Sequence, residues 1–269
     1  MIRVVSSQWK PRPWLPDDCG RCPAVTAYPV ALVTGANKGL GKETVRQLAA
    51  RGTTVVLASR DSERGKAAAN ELATAGTKPV PVQLDVTDAG SVRDVADWLY
   101  GKYGRLDVLV NNAGTVVDQL AERTTAAEMR QVYEVNVFGV VTVIQTMLPL
   151  LSKSAAPRIV NVSSTTASMS LTGSGTDFGG DNDLRMAYSS SKTALNMLTI
   201  QYARAFSTSD ALSHIKINSA TPGYTATGMT RHRGTRSVAE GARIIVDLAT
   251  LVDDGPTGGF FNDQGAVPW

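Results

Sequence analysis

From Tyr28 to the last residue, short apolar runs of strand length alternate with amphipathic runs of helical length, and few folds accept that order. Strands are expected at Val30–Thr34, Thr54–Ser59, Val80–Leu84, Leu106–Asn111, Arg158–Val162, Lys216–Ser219 and Gly259–Asn262. Helices are expected near 41–51, 62–75, 89–103, 125–151, 188–206 and 237–252. Strands covered on both faces read as near-continuous Val, Ile and Leu runs, and joining them in parallel needs a crossover helix. The expectation is an α/β fold: a single doubly wound Rossmann-type domain, its seven-stranded, mainly parallel sheet carrying helices on both faces. This domain takes up residues 29–269, with no internal repeat and no linker that would divide it. Asp61 and Asp88 stand where the N-caps of two helices belong.

Residues 1–28 fall outside the alternation. Pro11, Pro13, Pro16 and Pro23, with Trp9 and Trp14, follow neither a helical nor a strand period, so a flexible N-terminal extension is expected. Cys19 and Cys22 form Cys-Gly-Arg-Cys there. A redox pair would need strand-helix context, and a zinc site further ligands; His214 and His232 are far away, so no metal site is expected. The net charge is only +3, and most of the surplus sits in this extension, where Arg3, Lys10, Arg12 and Arg21 outnumber Asp17 and Asp18. Such a balance argues against nucleic acid as a partner. Val135–Leu151 is the most apolar stretch, but Asn136, Thr142, Gln145, Thr146 and Pro149 interrupt it. A helix buried on most sides is expected, and no membrane association. The first residues lack a sustained apolar core and a small-residue cleavage pattern, so a cytoplasmic protein is expected.

Chemistry concentrates at three places. The first strand runs into Thr34-Gly35-Ala36-Asn37-Lys38-Gly39-Leu40-Gly41 and then a helix. The glycines permit a tight turn and close backbone approach, and the helix N-terminus offers N–H groups and a positive dipole end to a pyrophosphate. The spacing is Gly-x3-Gly-x-Gly, which departs from the usual dinucleotide fingerprint. The second strand ends in Ala58-Ser59-Arg60-Asp61, where a carboxylate would select NAD and an arginine the 2′-phosphate of NADP. Ser59 and Arg60, with Lys38, fit the phosphate, while Asp61 is expected to cap the next helix. The third place is Ser164 with Tyr188 and Lys192, the last two separated by one helical turn. An ammonium beside a phenol favours the phenolate; bringing tyrosine from about 10 to neutrality takes roughly 4 kcal/mol. Such a tyrosine can give or take a proton while a serine hydroxyl holds the reacting oxygen. A Tyr-x-x-x-Lys pair arises often by chance, and its weight here comes from the other motifs.

Thr34-Gly-x3-Gly-x-Gly41, Asn111-Asn112-Ala113-Gly114, Asn136, Ser164, Tyr188-x3-Lys192 and Pro222-Gly223 occur in that order. From residue 29 onward the chain therefore resembles the short-chain dehydrogenase/reductase superfamily. Asn37-Lys38-Gly39, Ser59-Arg60-Asp61, Tyr224-Thr-Ala-Thr227 and Pro256-Thr-Gly-Gly-Phe-Phe261 are most similar to its NADPH-dependent carbonyl reductase branch. The resemblance implies NADPH (NADP+) as cofactor, bound through Gly35, Asn37, Lys38, Gly39, Leu40, Gly41, Ser59 and Arg60. Asp85 would meet the adenine amino group, and Val86 would also contact the cofactor. Asn112, Ala113 and Gly114 would line the adenosine ribose, and Pro222, Gly223, Tyr224, Thr225 and Thr227 the nicotinamide.

The same resemblance implies a substrate carbonyl oriented by Ser164 and protonated by Tyr188. Lys192 would bind the nicotinamide ribose and lower the tyrosine pKa, and Asn136 would hold a water joining Lys192 to solvent. The expected activity is NADPH-dependent reduction of a ketone or aldehyde. Alternatives on this scaffold are a cyclisation or epimerisation, or an NADPH-binding sensor without catalysis. Residues 165–187, rich in Gly, Ser, Thr and Asp, make a longer connection than the common tetrameric members have. Related carbonyl reductases carry an insertion there, in some of them across the helix face used for oligomerisation, so a monomer or dimer is expected. A connection of this length borders a site or moves, and with Met229, His232 and Arg233 it is expected to shape the substrate pocket. Phe178, Leu184 and Met186 would make that pocket apolar. Gly228 stands where an acidic residue is often seen, so the segment beyond it is expected to differ.

Overall fold

Val-Ala-Leu-Val over Val30–Val33 forms β1 with every residue fully buried, as a strand covered on both faces requires. The computed structural model describes residues 28–74 and 78–269; the expectations for residues 1–27, Cys19 and Cys22 among them, lie outside these. After β1 come α1 (Gly39–Ala50), β2 (Thr54–Ser59), α2 (Ser62–Leu72), β3 (Val80–Gln83), α3 (Ala89–Tyr103) and β4 (Val108–Asn111). The chain continues through α4 (Ala126–Tyr133), α5 (Gly139–Leu151), β5 (Arg158–Val162), α6 (Met169–Gly173) and α7 (Met186–Ser207). It ends with β6 (Lys216–Ala220), α8 (Val238–Ala249), β7 (Phe260–Asn262) and β8 (Gly265–Ala266).

The strands lie in the order β3-β2-β1-β4-β5-β6-β7-β8, parallel up to β7. Leu32 aligns with Val56 on one side and Leu109 on the other. The direction of winding reverses between β1 and β4, and the C-terminal ends of these strands therefore open a crevice. Side chains alternate between two cores. Leu32, Leu109 and Ile159 pack with Leu99, Ile144, Met147 and Leu195 from α3, α5 and α7. Val33, Val110 and Val160 pack with Val45, Leu48 and Ile245 from α1 and α8. Asp61 and Asp88 cap α2 and α3, accepting from the Arg64 and Gly90 N–H groups at 3.0 and 2.8 Å.

Three features differ from the sequence expectation. The sheet has an eighth strand, β8, which turns back antiparallel on β7; its two exposed residues are too few to print a period. The helix expected over 125–151 is interrupted by a π turn at Glu134–Phe138. Gly139, just beyond, presses on the turn after β3, where a Cβ would stand 2.9 Å from Val86 Cγ2. Residues 165–187 are built rather than structureless: they hold α6 and two 3₁₀ turns, and Ser170 donates from N–H and hydroxyl to the Trp269 carbonyl at 3.0 and 2.7 Å. The run 126–151 has the length and hydropathy of a membrane span, but Val143, Ile144, Met147 and Leu151 are buried in this core.

Candidate active site

The floor of the crevice is the turn between β1 and α1. Thr34 Oγ1 accepts the Asn112 and Ala113 N–H groups at 3.0 Å each, and Asn112 Nδ2 donates back to the Thr34 and Gly35 carbonyls at 2.8 and 3.0 Å. Gly35 has φ of 62°, in the left-handed region, and a Cβ there would lie 2.8 Å from Ala113 Cα. A Cβ on Gly41 would meet Asn112 Nδ2 at 2.4 Å. No side chain caps α1, and no acidic residue occupies its first turn. Its free N–H groups and dipole therefore face the crevice without a competing anion from the chain.

Arg60, just after β2, and Lys38, just before α1, are exposed, and neither forms an ion pair among the described residues. Asp61 is occupied by α2 and by Arg64 at 3.3 Å. Ser59 is buried and donates its hydroxyl to the Asp61 carbonyl at 2.9 Å, so at this turn Arg60 presents the charge and Ser59 shapes the backbone. Asp85 Oδ1 accepts from the Thr87 N–H and hydroxyl at 3.0 and 2.8 Å.

Ser164 follows β5 and starts a 3₁₀ turn, its Oγ 3.0 Å from Thr166 Oγ1, and it lines the same cavity as the Tyr188 side chain. Tyr188 stands in the first turn of α7, and Lys192 one turn later, almost fully buried. Lys192 Nζ donates to the Val162 carbonyl at 2.7 Å and lies 5.7 Å from the Tyr188 ring centroid. Asn136, from the π turn, is also buried. Its Oδ1 accepts from Thr115 N–H at 2.8 Å, and its Nδ2 donates to the Thr115 carbonyl and Ser191 Oγ at 3.0 Å each. Ser191 in turn donates to the Tyr188 carbonyl at 2.7 Å.

Burial dominates the electrostatics of the site. Burial pushes the Tyr188 phenol above its usual range, against the downward pull of the Ser164 hydrogen bond and of the Arg185 guanidinium. Burial brings Lys192 down to about 8. In the protein alone desolvation of the phenol outweighs the nearby charge, and the Lys192 ammonium donates to the Val162 carbonyl. Arg185 and Ser191 were not singled out from the sequence. Their positions, three residues before and three after Tyr188 at the start of α7, were the available signal.

Leu40, Ser164, Tyr188, Phe178, Tyr224 and Met229 are among the residues around a narrow cavity of about 90 Å³. The expected apolar wall is there only in part. Phe178 lines this cavity, whereas Met186 lines a separate, open groove of about 450 Å³ along α6 and α7 that contains neither Ser164 nor Tyr188. Leu184 serves through its carbonyl, which accepts the Gln119 N–H at 2.7 Å.

The sequence model of the short chain dehydrogenase family matches residues 29–237. Short-chain dehydrogenase/reductase 1 of Saponaria officinalis is 36% identical, over 89% of this chain and 95% of that protein. Carbonyl reductase (NADPH) 1 of Mus musculus is 34% identical, over 91% of this chain and 99% of that protein. The structure of salutaridine reductase from Papaver somniferum aligns with a TM-score of 0.73 at 29% identity, over 87% of this chain and 99% of that one.

Proposed function

The chain belongs to the short chain dehydrogenase family of oxidoreductases, and we propose that it reduces a ketone or aldehyde to an alcohol with NADPH as cofactor. The observation that carries this reading is one cavity lined both by Ser164 and Tyr188 and by Pro222, Gly223, Tyr224, Thr225 and Thr227, the segment expected to hold the nicotinamide. The crevice fits that cofactor. Its glycine turn has no room for side chains, and Arg60 and Lys38 are two free cations where a 2′-phosphate would lie. The mouse relative's name, carbonyl reductase (NADPH) 1, supports the same choice.

Bound NADPH would supply the hydride. Ser164 would hold the carbonyl oxygen, and Tyr188 would release its proton to that oxygen as charge develops. Lys192 would hold the cofactor ribose and stabilise the phenolate left behind. Asn136, whose side chain is engaged with Thr115 and Ser191, would support a proton relay between Lys192 and solvent. The partner is a small carbonyl compound, and the protein works as a cytoplasmic monomer or dimer. A panel of ketones and aldehydes, with NADPH oxidation as readout, tests the reading on the wild type and on Tyr188→Phe. The variant should lose on the order of 10² to 10⁴-fold in turnover and keep its NADPH affinity. Full turnover in the variant would remove Tyr188 as the proton donor, and NADPH binding without turnover of any carbonyl would favour a sensor.

A further inference from the structure

Three segments far apart in sequence meet beside Ser164 and Tyr188, and ion pairs join all of them. They are the turn beyond β4 around Asp118, the connection between α6 and α7, and the segment following Pro222-Gly223. Arg185 stands where they converge. It is only 6% exposed, lines the cavity that holds Ser164 and Tyr188, and precedes α7 as its N-terminal neighbour. Its Nε donates to Asp118 Oδ1 at 3.0 Å and its Nη2 to the Met229 carbonyl at 3.0 Å, with Asp181 Oδ2 at 4.0 Å. The other oxygen of Asp118 accepts from Arg231 at 3.1 Å, and Asp181 pairs with Arg233.

The turn carrying Met229 is tied internally through Thr227 and Thr230, whose Oγ1 donates to the Thr225 carbonyl at 2.7 Å. Beyond it Arg231 and His232 have φ of 51° and 60°, a conformation side chains rarely adopt, and contacts from other segments add to the turn's own bonds in holding it. Arg185 supplies one of these from the base of α7. A buried ion pair contributes little to stability compared with apolar residues of the same shape. Stability alone is thus a weak reason for a buried guanidinium here. Its planar fork instead gives one group two directed bonds, to two different loops, three residues from Tyr188.

We propose that Arg185 is a positioning residue, latching the Asp118 turn and the Met229 turn to the start of α7 and so holding Tyr188 and the cavity walls in register for reduction. This inference rests on the reductase reading for its catalytic consequence, but the latch itself can be observed without turnover. Arg185 acts on Tyr188 directly, Lys192 on α7 lies 5.7 Å from its ring centroid, and the charged groups paired in the cluster around Arg185 are Asp118 beyond β4, Asp181 on the α6–α7 connection, and Arg231 and Arg233 beyond Met229.

Two variants separate charge from geometry: Arg185→Lys keeps the charge and loses the fork, and Arg185→Met loses both. Hydrogen exchange on the full chain should show 115–120 and 228–233 opening together in Arg185→Met, about tenfold faster or more, with β1 and β4 unchanged. Turnover of a carbonyl found in the panel should fall mainly in kcat while NADPH affinity holds. The alkaline limb of the kcat profile should move to higher pH in Arg185→Met and stay in place in Arg185→Lys, because removing a positive charge stabilises the neutral phenol. Unchanged exchange at both turns, or an unmoved limb with undiminished kcat in Arg185→Met, overturns the proposal. Should Arg185→Met not fold, Asp118→Asn must show the same paired opening in weaker form, and its absence overturns the proposal equally. Full activity in Tyr188→Phe would instead sink the reductase reading, and the exchange result would still decide the latch.

Discussion

Replacing Lys192 with methionine should make the protein's stability respond to pH in a way that can be worked out in advance. Burial takes this lysine from 10.5 to about 8, a difference worth about 3 kcal/mol. Below pH 8 the group is charged in both the folded and the unfolded chain, and folding bears the whole desolvation cost. Between pH 8 and 10.5 the folded protein has released a proton that the unfolded chain still holds, so stability rises with pH. Above 10.5 both states are neutral and the cost is gone. The methionine variant has no such group; its loss of the hydrogen bond to the Val162 carbonyl is a constant offset of about 1 kcal/mol. Urea unfolding of both proteins without cofactor, at pH 7, 8.5 and 10.5, gives the difference directly. It should shift towards the wild type by about 3 kcal/mol across that range, most of it above pH 8. A difference that does not change with pH would refute the argument that Lys192 is held as a desolvated ammonium.

Arg60→Asp removes an exposed, unpaired cation and puts a carboxylate near the expected 2′-phosphate. The preference for NADPH over NADH should drop by about 10 to 100-fold with little change in melting temperature, and an unaltered cofactor ratio would count against the contact. Gly41→Ala forces a Cβ to 2.4 Å from Asn112 Nδ2 and 2.7 Å from the Gly35 carbonyl. Overpacking of this kind should cost about 1–3 kcal/mol and displace the turn proposed to hold the cofactor. Thermal denaturation and NADPH titration would both register it, and wild-type values in both would show that the turn is not tightly packed.

The alternation of strands and helices was readable because the central strands are buried throughout: a strand such as Val30–Val33 can carry little but apolar residues. β8 was not readable, since two exposed residues beside a turn have no pattern to show. The π turn at Glu134–Phe138 interrupts a stretch that reads as one continuous helix in the sequence. Distant partners surround it: Thr115 and Ser191 around Asn136, and Val86 against Gly139. At the site, the order of Ser164, Tyr188 and Lys192 could be read from the chain, but not the direction of the Lys192 ammonium, which a carbonyl of β5 decides. Likewise, Ser59 looked like a phosphate ligand, whereas its hydroxyl turns inward to the backbone of Asp61. Arg185 escaped notice because its partners lie 67 and 44 residues away. Contacts of that range depend on topology, which local spacing does not encode.

The central claim is that a hydride passes from NADPH to a carbonyl carbon beside Tyr188. NADPH deuterated at the transferable position of the nicotinamide, incubated with a ketone turned over by the enzyme, tests it directly. Mass spectrometry of the alcohol should find one deuterium on the carbinol carbon with the wild type, and product formed on the order of 10² to 10⁴-fold more slowly with Tyr188→Phe despite intact cofactor binding. An alcohol whose carbinol hydrogen comes from water, or labelled product formed at the full rate by Tyr188→Phe, would contradict the account.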